Sequence, residues 1–432
     1  MFVDDRPEYP MTFVVQFEFS GSINRTAFQD AIDQALERHP LLRSHIQPAK
    51  LGRDCWVSAE VYDSTIDWGN LDDPIITTGA GAFLDMREEI GFRGWVRHNE
   101  DRAVFTAVFH HSCADGIGAY HFLGDVLWFY AKQLGEECGP LPEYDDQALR
   151  KRLRMSVTPE LWARCEKLKV ENELSLLANH DSHPLLPHQE SSVTLSMENE
   201  YPRFSSHTFD KTEFRKLRLE SQDAGLTIND RLLASLIESL LLWNEDHGQT
   251  NVDEKSFSVL MPLDLRTSLD DGLSAANIVT SAFVRRQADE IRDRNGLRDS
   301  LREELIHLKQ NRHLSEFMTT LVASPFFLED AANAYDNDKC HATVILSNAG
   351  DPTKRFHVQL PREKGKIKAG NLILEDLSGA SPLRNATRAS FNVFTYSRQL
   401  KICLRSDPRF FTASDSQVLL DHLVNGFVTN LD

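Results

Sequence analysis

Chemistry in this chain concentrates in seven consecutive residues, His110-His111-Ser112-Cys113-Ala114-Asp115-Gly116. Two imidazoles beside a carboxylate suit proton transfer at neutral pH, because histidine is the side chain whose ordinary pKa of about 6.5 keeps both protonation states within reach. Two other chemistries use the same residue types. A metal could be held by His110, His111 and Asp115, but adjacent side chains on an extended chain point to opposite sides, and no further ligand cluster is visible. A Cys113–His111 pair could serve a nucleophilic hydrolase, which needs a thiolate-stabilising setting that the sequence does not display.

The elements on either side of the heptapeptide explain how it would be positioned. Upstream, Ala103-Val104-Phe105-Thr106-Ala107-Val108-Phe109 is a nearly continuous apolar run with the length and composition of a buried strand. Downstream, Ile117, Tyr120, Leu123, Val126, Leu127 and Tyr130 recur at helical spacing. A strand end entering a helix delivers side chains to the edge of a cleft on rigid supports.

The same reading organises the rest of the chain. Phe13, Val15, Phe17 and Phe19 share one face of an opening strand. A helix follows with Asn24 as N-cap, an Ile23–Phe28 staple, and an apolar face of Phe28, Ala31, Ile32, Ala35 and Leu36 that stops before Pro40. Short strands are expected around Cys55 to Val61 and Phe92 to Arg97. Periodicity then breaks over residues 179–202, which are rich in His, Pro and Ser. Strand, cap and staple recur beyond it, at Phe204 to Phe209, at Asp210 with Glu213, and at Phe209 with Phe214. The expected organisation is therefore a first domain over 1–185, a linker over 186–203 and a second domain over 204–432. In the second domain, Ile228, Leu232, Leu233, Leu236, Ile237, Leu240 and Leu241 form one face of a helix capped by Thr227. Strands are expected at Phe257 to Met261, Ile278 to Arg285, Thr343 to Ser347, Asn371 to Leu374, Ser390 to Tyr396 and Leu400 to Leu404. Helices are expected from about Glu290 to Gln310 and through Val418, Leu419, Leu423 and Phe427.

The heptapeptide, read as H-H-x-x-x-D-G, resembles the active-site motif of the condensation-domain and chloramphenicol-acetyltransferase-like acyltransferase superfamily. Three further segments are similar in the expected order: Arg38-His39-Pro40-Leu41-Leu42-Arg43-Ser44, then Met261-Pro262-Leu263-Asp264-Leu265-Arg266 with Asn277-Ile278-Val279-Thr280-Ser281-Ala282-Phe283, then Asn392-Val393-Phe394-Thr395-Tyr396 with Leu400 to Leu404. The D-F-G-W-G segment of the plant branch has no match, so the likeness points to the stand-alone or condensation-like branches. The resemblance implies an α/β (α+β) fold of two chloramphenicol-acetyltransferase-like domains, each a mixed sheet flanked by helices, with a reaction channel between them.

It also implies roles. His111 would be the general base that takes the acceptor's proton, with no covalent acyl-enzyme. Asp115 would point away from substrate and pair with an arginine, for which Arg43 is the expected partner. Gly116 would allow a tight turn and close approach by substrate, and His110 would fix the loop by hydrogen bonding. Ser347 and Asn348 are candidate oxyanion donors, with an ordinary strand-to-turn junction as an equal alternative. Arg362, Lys364, Lys366 and Lys368 could receive the phosphates of coenzyme A or of a carrier-borne pantetheine arm, although a solvated turn with Gly365 at its tip is the more ordinary reading. No permanently bound cofactor is expected: acyl-CoA or a phosphopantetheinyl thioester would be a donor substrate, and the acceptor a small molecule.

Composition narrows the partners. With 47 basic and 65 acidic residues the net charge is −18, a field that repels nucleic acid and anionic lipid. No apolar run reaches the roughly 18 residues of a membrane span, and residues 1–6 lack a secretory-signal layout. Six cysteines without C-x-x-C spacing read as free thiols in a reducing cytoplasm. A cytoplasmic monomer is the expectation. Three functions remain open: a stand-alone O- or N-acyltransferase, a carrier-protein-dependent condensation enzyme, and a catalytically silent binding or scaffold member of the fold.

Overall fold

The computed structural model describes residues 5–48, 54–78, 82–151, 181–187, 198–310 and 339–429. The first half contains β1 (Thr12–Ser20), α1 (Arg25–Arg38), β2 (Ser44–Pro48), β3 (Asp54–Ser58), β4 (Asp67–Asn70), β5 (Ile75–Thr78), β6 (Phe92–His98), β7 (Arg102–His110), α2 (Gly116–Gln133) and α3 (Asp146–Lys151). The second contains β8 (Glu198–Tyr201), β9 (Ser205–Phe209), α4 (Lys211–Asp223), α5 (Ile228–Asp246), β10 (Phe257–Asp264), β11 (Val279–Arg286), α6 (Ala288–Arg292) and α7 (Arg294–Gln310). It continues with β12 (Val344–Gly350), β13 (Arg362–Glu363), β14 (Lys366–Ala369), β15 (Leu372–Ala380), β16 (Ala389–Tyr396), β17 (Gln399–Ser406) and α8 (Ala413–Thr429).

The architecture is mixed α/β, with two principal sheets flanked by helices. One sheet runs β13-β14-β15-β1-β7-β6-β4 and the other β11-β10-β12-β16-β17-β9. The first core forms where Phe13, Val15, Phe17 and Phe19 of β1 meet Phe28, Ala31, Ile32, Ala35 and Leu36 of α1 and the apolar face of α2. Fully burying a side chain of this size stabilises the fold by about 1.5–3 kcal/mol, so this face sets the strand's register. Asn24 caps α1 by accepting the Ala27 N–H at 3.0 Å. The second core is built on α5, whose Leu232, Leu233, Leu236, Ile237, Leu240 and Leu241 are buried against the other sheet. Capping boxes begin α4 at Asp210–Glu213 and α5 at Thr227–Asp230.

The halves are interlaced. β15 pairs antiparallel with β1, so β13, β14 and β15 of the second half complete the sheet that carries β7. Leu265, Leu273, Ala275, Ala276 and Ile278 join the first core as well. The stretch expected as a linker is held at both of its described ends. Leu185 is buried in the second core, Leu186 accepts the Trp243 indole N–H at 2.9 Å, and β8 pairs with β5 of the first half. Periodicity reveals a strand but not the sheet it will join, which is why the division along the chain looked cleaner in the sequence. Among the described residues, no helix is long and apolar enough to cross a membrane.

Candidate active site

β7 runs antiparallel between β1 and β6, and its last residue, His110, stands opposite Thr12. The chain turns there: the His110 carbonyl accepts the Cys113 N–H at 2.9 Å, and α2 begins at Gly116 with Asp115 as its N-cap. His110 is fully buried. Its Nδ1 accepts the Ser112 N–H at 3.1 Å, which leaves the proton on Nε2, 3.1 Å from the Asp5 carboxylate. His111 faces the other way and is partly accessible. Its backbone N–H donates to the Met11 carbonyl at 2.8 Å, so the loop is sewn to the residue that precedes β1.

Asp115 is 1% exposed and accepts four hydrogen bonds. Oδ1 takes the Gly118 N–H at 2.8 Å and Arg266 Nη2 at 2.9 Å, while Oδ2 takes the Ile278 N–H at 2.7 Å and Arg266 Nη1 at 2.8 Å. The aspartate thus caps α2 and, through a bidentate fork, fixes the motif to the 264–278 segment of the second half. Burial opposes the charge on Arg266, but Asp115 and Asp264 more than offset it and hold the guanidinium as a cation. The expected Arg43 partner is therefore corrected. Arg43 lies 3.5 Å from Glu37, within its own turn region, and Arg266 is the residue that converges on Asp115. Arg266 stood in a segment already singled out by resemblance, yet its separation from Asp115 along the chain hid the pairing.

The tight turn expected to require Gly116 is also corrected. A Cβ there would meet nothing nearer than 3.9 Å, and its backbone is not left-handed, so the turn does not demand glycine. The crowded position is Gly118, where a Cβ would lie 2.7 Å from the backbone nitrogen and oxygen of Ala276. Gly91 is a second such point, because a Cβ would lie 2.1 Å from the Cys113 sulfur.

Asn277 completes the cradle of His111. Its Oδ1 accepts the Val279 N–H at 3.2 Å, which turns the amide nitrogen towards His111. That nitrogen donates to the His111 carbonyl at 2.6 Å and lies 3.2 Å from Nδ1. Burial pushes the His111 imidazole down to about 4, with Asp115 working in the opposite direction, so the ring is neutral at pH 7. Nothing in the sequence pattern pointed to Asn277 beyond its place in a segment similar to the family's.

The remaining expected residues lie elsewhere. Asn348 is exposed at the end of β12, where its amide donates to Asn229 Oδ1 at 3.2 Å and its oxygen accepts the Gly350 N–H at 2.9 Å. Ser347, one residue earlier, is partly buried. Among the described residues no hydrogen bond joins either to His111. The basic run forms a hairpin, β13–β14, with Lys364 and Gly365 at its tip. Arg362 donates to Gly365 O and Thr353 Oγ1, Lys366 pairs with Glu375, and Lys368 lies 2.8 Å from Glu136. Three of these four cations are thus engaged within the hairpin or with neighbouring side chains. His39, from the first matched segment, is buried between Asp125, 3.3 Å from Nε2, and the Ala275 N–H, 2.8 Å from Nδ1.

No protein-family model matches the chain. Among curated proteins, 161 residues are 27% identical to part of N-(5-amino-5-carboxypentanoyl)-L-cysteinyl-D-valine synthase from Amycolatopsis lactamdurans, a match over 35% of this chain and 4% of that synthase. Solved structures align over nearly the whole chain. Trichothecene 15-O-acetyltransferase from Fusarium sporotrichioides superposes with a TM-score of 0.68 at 13% identity, covering 97% of this chain and 90% of that one. A mutant starter condensation domain of rhizomide synthetase, in complex with C8-CoA, gives 0.61 at 12% identity, covering 98% and 90%. The chain shares the fold of these acetyltransferase and condensation-domain structures. Within this superfold, chemistry still has to be argued from the site.

Proposed function

We propose that the chain is an acyltransferase that moves an acyl group from a thioester to a hydroxyl or amine. His111 would act as general base, and no acyl group would be carried on the protein. The observation that carries this reading is the setting of His111: a neutral, partly accessible imidazole at the end of a central strand, held by Asn277 and by a motif fixed through Asp115 to Arg266. As the acceptor oxygen or nitrogen attacks the thioester carbonyl carbon, its proton passes to the His111 imidazole. The tetrahedral adduct then expels the thiolate, which takes that proton and leaves as a thiol. Positioned base catalysis of this kind typically contributes about 10²–10⁴-fold.

The donor is read as acyl-CoA or a carrier-bound pantetheine thioester. A carrier-dependent condensation is the second reading, favoured by the partial match to a peptide synthase and by the likeness to condensation domains. A test is a screen for thiol release from acyl-CoA donors against amine and alcohol acceptors, with intact-mass analysis of the protein. Release that depends on acceptor, with no mass added to the chain, is expected. A stable acyl adduct would refute direct attack. Turnover confined to carrier-loaded substrates would select the second reading. No turnover with either donor form would refute acyl transfer and leave the catalytically silent reading.

A further inference from the structure

Residues 5–11 run as a strap ahead of β1. Its outer side is anchored to the second half: the Tyr9 hydroxyl donates to Asn385 Oδ1 at 3.1 Å, and the Arg409 guanidinium lies 3.9 Å from the centre of the Tyr9 ring. Its inner side is anchored to the motif by one carboxylate. Asp5, 5% exposed at the side chain, accepts the Met11 N–H at 2.7 Å through Oδ1. Its Oδ2 lies 3.1 Å from Nε2 of the fully buried His110. That second contact is bent, so the charge of the carboxylate, more than alignment, draws the ring N–H. The Met11 carbonyl in turn accepts the backbone N–H of His111 at 2.8 Å, and His110 Nδ1 accepts the Ser112 N–H at 3.1 Å. Residues 110, 111 and 112 are therefore all held from Asp5, through the His110 ring or through Met11.

Two donors converge on Asp5, the Met11 N–H and the His110 Nε2–H, and a carboxylate offers an oxygen to each. An amide of the same shape offers one oxygen and turns its NH2 against the other donor. We propose that Asp5 is a positioning residue for His111: it fixes the His110 ring with its proton on Nε2, and it pins the strap whose Met11 carbonyl holds the backbone of the base. That His111 acts as a base rests on the acyl-transfer reading; the clamp of Asp5 on the motif does not.

Asp5→Asn in the full chain tests the clamp, with Glu8→Gln, which removes an exposed carboxylate of the same strap, as control. Nitrogen chemical shifts of labelled histidines report the His110 tautomer, and amide hydrogen exchange reports Met11 and His111, both without turnover. In the unsubstituted chain the His110 proton is expected on Nε2. In Asp5→Asn either that proton moves to Nδ1, which breaks the bond from Ser112, or the Met11 amide loses its protection. The His111 amide is expected to exchange about tenfold faster in both cases, as the loss of one hydrogen bond implies. In turnover, kcat is expected to fall about ten- to hundred-fold with KM little changed, the effect of a misplaced reacting group. Glu8→Gln is expected to change nothing. If Asp5→Asn does not fold, Asp5→Ala, which opposes neither donor, carries the same exchange and kcat test. An unchanged tautomer together with unchanged exchange at both amides overturns the clamp. A rise in KM alone, an unchanged kcat, or an equal loss in Glu8→Gln overturns the positioning role. A displaced tautomer or lost protection in a chain without any turnover leaves the clamp standing and removes the acyl-transfer reading instead.

Discussion

Replacing Arg266 with methionine tests how the motif is held. The change keeps an unbranched apolar stem but removes both guanidinium bonds to Asp115 and the 3.0 Å bond from Nη2 to the Ala276 carbonyl. Asp115 would keep two backbone donors, Gly118 N–H and Ile278 N–H, but lose its counter-charge while 2% exposed at the side chain. Breaking one half of a buried pair costs about 3–5 kcal/mol. Because the halves are interlaced into a unit larger than 250 residues, each kcal/mol is worth no more than about 2–4 °C, so Tm is expected to fall by at most roughly 6–20 °C. Calorimetry and urea titration of Arg266→Met, Asp115→Asn and the double variant would give the coupling energy, expected at about 1–3 kcal/mol for groups in direct contact. The parallel cycle with Arg43→Met is expected to show none, because Arg43 pairs with Glu37. A loss below about 1 kcal/mol in Arg266→Met, or equal coupling to Arg43, would refute the claim that this pair fixes the loop.

Three further outcomes follow from the same geometry. Gly118→Ala drives a Cβ to 2.7 Å from rigid backbone and is expected to cost about 1–3 kcal/mol by overpacking. Gly116→Ala, with 3.9 Å of clearance, should be neutral or slightly stabilising in thermal melts; equal losses at both positions would contradict this. Asn277→Ala should lower kcat about 10²-fold through misplacement of the imidazole, with KM little changed, and an unchanged kcat would remove Asn277 as a positioning residue. Burial lowers the pKa of His39, His111, His121 and His357 below the ordinary value. The unfolded chain therefore binds more protons below about pH 6.5, and stability should fall as pH drops through that value. A Tm that is flat from pH 7 to pH 5 would contradict this linkage.

Much of the motif's support was legible because it is local. The apolar run into His110 and the helical spacing after Gly116 became β7 and α2, and the alternating phenylalanines became the core face of β1. Caps at Asn24, Asp210 and Thr227 were readable for the same reason, since the side chain and the N–H it accepts lie within three residues. What could not be read was convergence. Arg266 and Asn277 reach the motif because β10 and β11 turn the 264–278 segment towards it, and no periodicity encodes that. A strand was expected from Asn371 to Leu374, within β15, but its place beside β1 depends on a partner in the other half, and β14 was read as part of a turn. Gly118 was indistinguishable from any glycine in a helix until Ala276 was seen to press against it.

The central claim is that His111 works as a neutral imidazole base. Its most direct test is the pH dependence of kcat/KM for the acceptor with a saturating donor, which reports the essential groups of the enzyme–donor complex. The setting of His111 predicts an ascending acid limb that levels off well below pH 6.5, near the value of about 4 that burial imposes, and that vanishes with the activity in His111→Ala. An acid limb centred at 6.5 or above, or a limb that survives in His111→Ala, would contradict it.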